Sequence, residues 1–227
     1  MNEHMDHFSN PQAVARYVEG PPRFVPGYNA LQAMTTLLIA ERVGEHAGVL
    51  VLGAGGGLEL KAFAQTHPDW TFHGVDPSAE MLQLAQRTLG PLASRACLQQ
   101  GYIDDAPEGL FDAAACLLTL HFVALQERRC TVAEVRRRLK PGAPFVVAHF
   151  SIPQDEGDRA LWLSRYAAFL AASGIEIDKA ANARAAIDTQ LTILTPEQDE
   201  AILSEAGFSN VSLFYAGFTF RGWVAYA

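Results

Sequence analysis

Residues 49–60, Val-Leu-Val-Leu-Gly-Ala-Gly-Gly-Gly-Leu-Glu-Leu, pass from an apolar, β-branched run through spaced glycines into a helical pattern. Backbone that must come within contact distance of a ligand cannot carry side chains and often needs positive φ; glycine meets both demands. The helix that follows offers unpaired N–H groups and the positive end of its dipole, which suit an anionic or carboxylate-bearing ligand. A second strand-like run, Thr71 to Val75, ends in Asp76, 21 residues beyond Gly55. That is the usual distance for an acid that accepts hydrogen bonds from ribose hydroxyls. Gly53, Ala54, Gly55 and Asp76 therefore describe a site for an adenosine-containing cofactor.

The elements that must carry this site follow from periodicity. Asn29 to Arg42 has Leu31, Met34, Leu37 and Leu38 at helical spacing, after a short helical stretch Pro11 to Val18 broken by Gly20-Pro21-Pro22. Strands are expected at Val49–Leu52, Thr71–Val75, Ala96–Gln100, Ala113–Leu118 and Pro144–Phe150, with helices at Leu58–Gln65, Pro77–Thr88 and Ala124–Leu139 between them. Pro77 belongs near a first helical turn, where a missing N–H costs little. This alternation predicts an α/β fold with a doubly wound, parallel sheet. Val211–Tyr215 and Phe218–Tyr226 read as a terminal hairpin.

A dinucleotide fingerprint would require glycine at Leu58, but the pattern here is G-x-G-x-G. It resembles motif I of the class I S-adenosylmethionine-dependent methyltransferases, with Asp76 matching the acid after their second strand. The order Phe111-Asp112, apolar strand, helix, Leu139-Lys140-Pro141-Gly142, apolar strand resembles their motifs II and III. The resemblance implies S-adenosylmethionine as cofactor and S-adenosylhomocysteine as product. It further implies a mostly parallel, seven-stranded Rossmann-like methyltransferase sheet whose last strand inserts antiparallel.

With the flanks included, the chain is similar to the carboxy-S-adenosylmethionine synthase family of transfer-RNA modification. The matching segments are Phe24-Val25-Pro26-Gly27-Tyr28, Leu118-Thr119-Leu120-His121-Phe122 and Leu194-Thr195-Pro196. The resemblance gives Tyr28 a cofactor contact from an N-terminal lid, where a phenol presents an apolar face and one polar tip; a core tyrosine is the alternative. It puts Tyr102 and Ile103 beside the adenine, Ile103 with its backbone N–H and an apolar wall, Tyr102 in place of the usual acid and Asp104 or Asp105 close by. Met81, on the helical side of Pro77, packs against adenine or ribose or serves the core. Three positions depart. The family's carboxylate-holding arginine falls at Ala186, with Arg184 two residues and about 200° of helix away. Its asparagine at the end of strand four is Leu117. The acid that methyltransferases at large carry two residues before the first motif glycine is Val51; Glu59 either replaces it at the cofactor's ammonium group or simply complements the helix dipole. Ordinary S-adenosylmethionine and methyl transfer are thus expected, rather than carboxylated-cofactor synthesis.

A sulfonium-bound methyl is already electrophilic, so in-line positioning can be the whole mechanism. If the acceptor must lose a proton, His121 and His149, at strand ends four and five, are the candidate bases; His73, inside strand two, is weaker. Ser151 to Leu194 interrupts the sheet and carries Leu161, Trp162, Tyr166, Phe169 and Leu170 near helical spacing. It reads as a helical lid over a small, partly apolar acceptor, its stripe available to its own domain, to a homodimer contact or to the substrate.

With 227 residues, 49% hydrophobic, and no low-complexity linker, one methyltransferase-like domain over 1–227 is expected, with lid segments at 1–30 and 151–195. A net charge of −8 argues against general nucleic-acid binding, and Arg136, Arg137, Arg138 and Lys140 read as a solvated helix end. Cys97, Cys116 and Cys130 have neither disulfide nor metal-ligand spacing, and His4 and His7 have no partners at helical spacing, so no metal is expected. No run approaches the ~18 apolar residues of a membrane span. A soluble, cytoplasmic protein with a small-molecule substrate is the reading. A nicotinamide-binding oxidoreductase or an inactive cofactor-binding protein remains the alternative outside the methyltransferases.

Overall fold

Five parallel strands run β1 (Gly48–Leu52), β2 (Thr71–Asp76), β3 (Ala96–Gln100), β4 (Ala113–Leu117) and β5 (Pro144–Phe150), in a computed structural model that describes residues 14, 17–176, 187 and 191–227. A hairpin of β6 (Ser209–Gly217) and β7 (Phe220–Tyr226) completes a seven-stranded sheet in the order β3-β2-β1-β4-β5-β7-β6. β7 lies antiparallel between β5 and β6, with Val147 opposite Trp223. The order reverses between β1 and β4, and in open α/β sheets ligands bind at the carboxyl ends beside such a switch.

The two faces of β1 part as strand alternation requires. Val49 and Val51 pack with Ile39 of α1 (Tyr28–Ala40), Leu60 and Phe63 of α2 (Leu58–Thr66) and Leu82 and Leu89 of α3 (Ala79–Leu89). Leu50 and Leu52 pack with Val132 and Val135 of α4 (Leu125–Arg137) and Ile202 and Leu203 of α6 (Pro196–Glu205). The helix α5 (Glu156–Ala172) seats Leu163, Tyr166 and Leu170 on a third cluster with Phe150, Phe220, Val25 and Tyr28. Tyr166 stands edge-on to Phe150 at 5.5 Å and donates its hydroxyl to Phe24 O at 3.0 Å, while Arg23 donates to Gly174 O at 2.9 Å. The segment 151–195 is thereby tied to the segment before α1.

Several expectations change in detail. Pro77 stands outside α3, and Ser78 is the cap, its Oγ accepting from Met81 N at 3.1 Å. Leu118 leaves β4 at φ 57°, and Phe218, at φ 48°, makes the hairpin turn rather than beginning β7. In the α5 stripe Leu161 is 45% exposed and Leu163 is buried in its place. The basic run is not wholly solvated. Arg138 is buried and reaches Ala106 O and Asp104 O, both at 3.3 Å, so it braces the Ile103–Asp105 turn after β3; Arg137 and Lys140 are exposed as expected. His4, His7, Arg184, Ala186 and most of Pro11–Val18 lie outside the described residues. Among those described, no helix is long and apolar enough to cross a membrane, and no three His, Cys, Asp or Glu side chains group as metal ligands.

Candidate functional site

The glycine loop closes over the end of β2. Gly53 N and Ala54 N both donate to Val75 O, at 2.8 and 3.0 Å, which turns the chain back across the sheet edge. Gly53, Gly55 and Gly57 have φ of 72°, 49° and 77°, a region open chiefly to glycine. At two of them packing adds a second reason: a Cβ on Gly53 would overlap the Thr119 side chain, and one on Gly57 would lie 2.8 Å from Ala85 Cα. Around Gly55 the nearest atoms would be 3.5 Å away, so its conformation alone requires glycine.

Asp76 is the hub of this edge. Its Oδ2 accepts from Gly55 N at 2.8 Å, its Oδ1 from Ser78 N at 2.9 Å, and its carbonyl from Gly101 N at 3.1 Å. Burial raises its pKa and the two backbone N–H bonds oppose the rise. Each carboxylate oxygen keeps a second lone pair, so the group can pin the loop and still accept from a ligand's hydroxyls. Spacing in the sequence points to this acid, but not to its bonds with the loop.

Four side chains gather on the other side of the glycines. Tyr28 is buried, its Oη accepting from Gln32 Nε2 at 2.7 Å. Tyr17, which sequence reasoning missed, lies over the loop: a Cβ on Gly56 would come within 2.8 Å of its ring. Met81 is buried with Val14, Leu84 and Tyr17, and its Cε borders Gly55. Glu59 is 8% exposed, and burial pushes its carboxyl up to about 7. Burial, then the Glu59 charge, raises the pKa of both tyrosines. Of the remaining candidates, Ala54, Leu117 and Ile103 are buried and Pro77 O accepts from Gln100 Nε2 at 3.1 Å. Tyr102 is 63% exposed, and Asp105 is engaged with Tyr102 N at 2.8 Å.

The histidines sit in a separate polar cluster beneath the ends of β4 and β5. His149 Nε2 lies 3.0 Å from Asp199 Oδ1, and Arg128 Nη1 lies 3.0 Å from the same oxygen. Burial favours a protonated Asp199, but His149 and Arg128 outweigh it and hold the carboxyl below its usual range. Arg128 also donates to Thr192 O and, at 3.4 Å, to Val123 O. His121 is buried edge-on to Phe150 at 5.0 Å, and its pKa is held well below the ordinary value by burial, then by His149 and Arg128. Neither ring is exposed. Sequence reasoning placed both at the strand ends and missed Arg128 and Asp199. A signal existed, since Arg128 shares a helical face with Val132 and Val135, and Asp199 with Ile202 and Leu203. His73 is remote from this edge; it bonds Gln99 Oε1 at 2.8 Å in a shallow recess at the amino-terminal ends of β1 to β3.

Residues 49–142 match the family described as Methyltransferase domain. The chain is 28% identical over 222 residues to the carboxy-S-adenosyl-L-methionine synthase of Chromohalobacter salexigens, covering 95% of this chain and 81% of that protein. It is similar in fold to a putative O-methyltransferase of Nostoc punctiforme, with TM-score 0.68, 24% identity, and 99% of this chain and 61% of that one covered. Magnesium protoporphyrin IX methyltransferase from Synechocystis with bound SAH gives TM-score 0.62 at 15% identity, covering 87% and 82%. The chain spans about three fifths of the length of the Nostoc structure. In its strand order and in the matched stretch 49–142, the chain is similar to the class I S-adenosylmethionine-dependent methyltransferases.

Proposed function

We propose that the chain binds S-adenosylmethionine at the carboxyl edge of β1, β2 and β4 and moves its methyl group to a small, partly apolar acceptor, leaving S-adenosylhomocysteine. The observation that carries this reading is the Asp76 hub: one buried carboxylate fixes the positive-φ glycine loop and retains lone pairs for a ribose. The bound sulfonium would supply the electrophilic methyl. The chain's own work is then to hold and align. Asp76 takes the sugar, Gly53 to Gly55 the amino-acid tail, and Met81 and Ile103 wall the adenine, with Pro77 and Tyr102 at its rim. Tyr28 and Leu117 border the reacting end. His149 lies against Asp199, and His121, the other candidate base, is kept neutral by a lowered pKa that also makes it a weaker proton acceptor than an ordinary histidine, so alignment rather than base catalysis carries this reading.

The segments 1–30 and 151–195 act as lids in this reading, supported by the Tyr166 to Phe24 bond. A second reading, carboxylated-cofactor synthesis, draws support from the relative that matches 95% of the chain; the apolar Leu117 speaks against it. Calorimetric titration with S-adenosylmethionine, S-adenosylhomocysteine, the carboxylated analogue and NAD separates the cases. Tightest binding of S-adenosylmethionine is expected. Preference for the carboxylated analogue would move the assignment to the synthase, and preference for NAD would overturn both. Asp76→Ala should weaken the preferred nucleoside by at least tenfold, since charge-assisted hydrogen bonds contribute about 1.5–3 kcal/mol each.

A further inference from the structure

Glu59 is a buried acid with no cation against it among the described residues. It stands in the first turn of α2, two residues after Gly57, and is more than nine-tenths buried. Its carboxyl accepts from its own backbone N–H, and the charges that act on it among the described residues include the neighbouring Asp76 carboxylate, a like charge. Around it are Tyr17 from the segment before α1, Tyr28 from α1, Asp76 from β2 and Cys116 from β4, none of them a cation. The strand position two residues before Gly53 is the apolar Val51, 1% exposed, so β1 offers no acid here. A buried carboxyl left without a cation carries an unfavourable desolvation cost that a positively charged ligand group can offset.

We infer that Glu59 is the anionic anchor for the α-ammonium group of the bound cofactor, replacing the acid that β1 lacks. The inference rests on the proposed cofactor and adds the residue that recognises its amino-acid end. Of the two cationic centres in S-adenosylmethionine only the ammonium carries N–H donors, so only it can form charge-assisted hydrogen bonds with the carboxylate. Occupancy by the ammonium stabilises the ionised form of Glu59. Binding from a state in which the free carboxyl titrates near 7 therefore releases a proton, and affinity rises with pH across that range.

The test is calorimetry of wild type, Glu59→Gln and Glu59→Ala with three probes: S-adenosylmethionine, S-adenosylhomocysteine and 5′-methylthioadenosine, which lacks the amino-acid end. Glu59→Gln keeps the shape and removes a buried charge, and its melting curve checks that it folds. Both cofactor forms should bind Glu59→Gln about ten- to a hundredfold more weakly, with 5′-methylthioadenosine unchanged within about twofold. Between pH 5.5 and about 7.0, where most of the ligand's ammonium stays charged, wild-type affinity should rise with pH and the variant's should be nearly flat. Unchanged affinity for both cofactor forms, or equal weakening of all three probes, overturns the inference. Loss confined to S-adenosylmethionine would move Glu59 to the sulfonium and overturns it too. If wild type bound none of the three, the cofactor assignment itself would fall, a result distinct from any of these.

Discussion

Asp199→Ala removes the anion from beneath a guanidinium that has no access to water. The Arg128 side chain is 0% exposed and that of Asp199 2%, so in the variant no solvent replaces the lost partner. Breaking a buried ion pair from one side costs about 3–5 kcal/mol. Arg128 keeps its bonds to Val123 O and Thr192 O, which places the expected loss near the lower end, about 3 kcal/mol. For a chain of this size that is a fall in Tm of about 6–12 °C, read by differential scanning calorimetry. The double variant Arg128→Met, Asp199→Leu should recover most of it, because replacing both charges by apolar groups removes their desolvation as well. The folded carboxyl titrates below its unfolded value of about 3.9. Its contribution is therefore present above that value and lost as pH falls through the folded one. The Tm gap between wild type and Asp199→Ala should hold from pH 7 to 5 and close below about pH 4. A single variant melting within about 2 °C of wild type, or a double variant no better than the single, would refute the reasoning.

Gly57→Ala forces φ of 77° on a side chain and sets its Cβ 2.8 Å from Ala85 Cα; a loss above about 2 kcal/mol is expected in urea unfolding, with weaker cofactor binding by titration. Tyr166→Phe deletes the hydroxyl bond to Phe24 O and should lower Tm by about 2–4 °C, and an unchanged Tm would mean the bond adds nothing. Cys97 and Cys130 are exposed and should react with a disulfide reagent in the native protein. Cys116, its thiol pushed up to about 12 by burial, should react only on unfolding.

Pro144–Phe150 was legible because it is a near-continuous apolar run, and it forms with the bounds that pattern gives, as does the more mixed edge strand Ala96–Gln100. Helix ends were less so. Ser78 rather than Pro77 caps α3, a choice between adjacent residues that hydrogen-bond geometry decides. Asp76 could be placed by its distance from Gly55, whereas its bonds to Gly55 N and Ser78 N depend on how three loops meet. Tyr17 lies against Gly56 across some forty positions of chain, and no local spacing announces such a contact. Arg128 and Asp199 were readable as charges on apolar helical faces. Arg138 shows the opposite hazard, because a dense basic run at a helix end hid one member that turns inward to carbonyls.

The place of β7 between β5 and β6 has a consequence for assembly. During synthesis the block from β1 to β5 emerges first and carries a naked border along Pro144–Phe150, since its neighbour comes from the far side of α6. Until residues 220–226 dock there, seven residues of main chain can template a foreign strand. Trp223, wholly buried against that border, covers it once β7 docks, and the sheet's edge passes to β6.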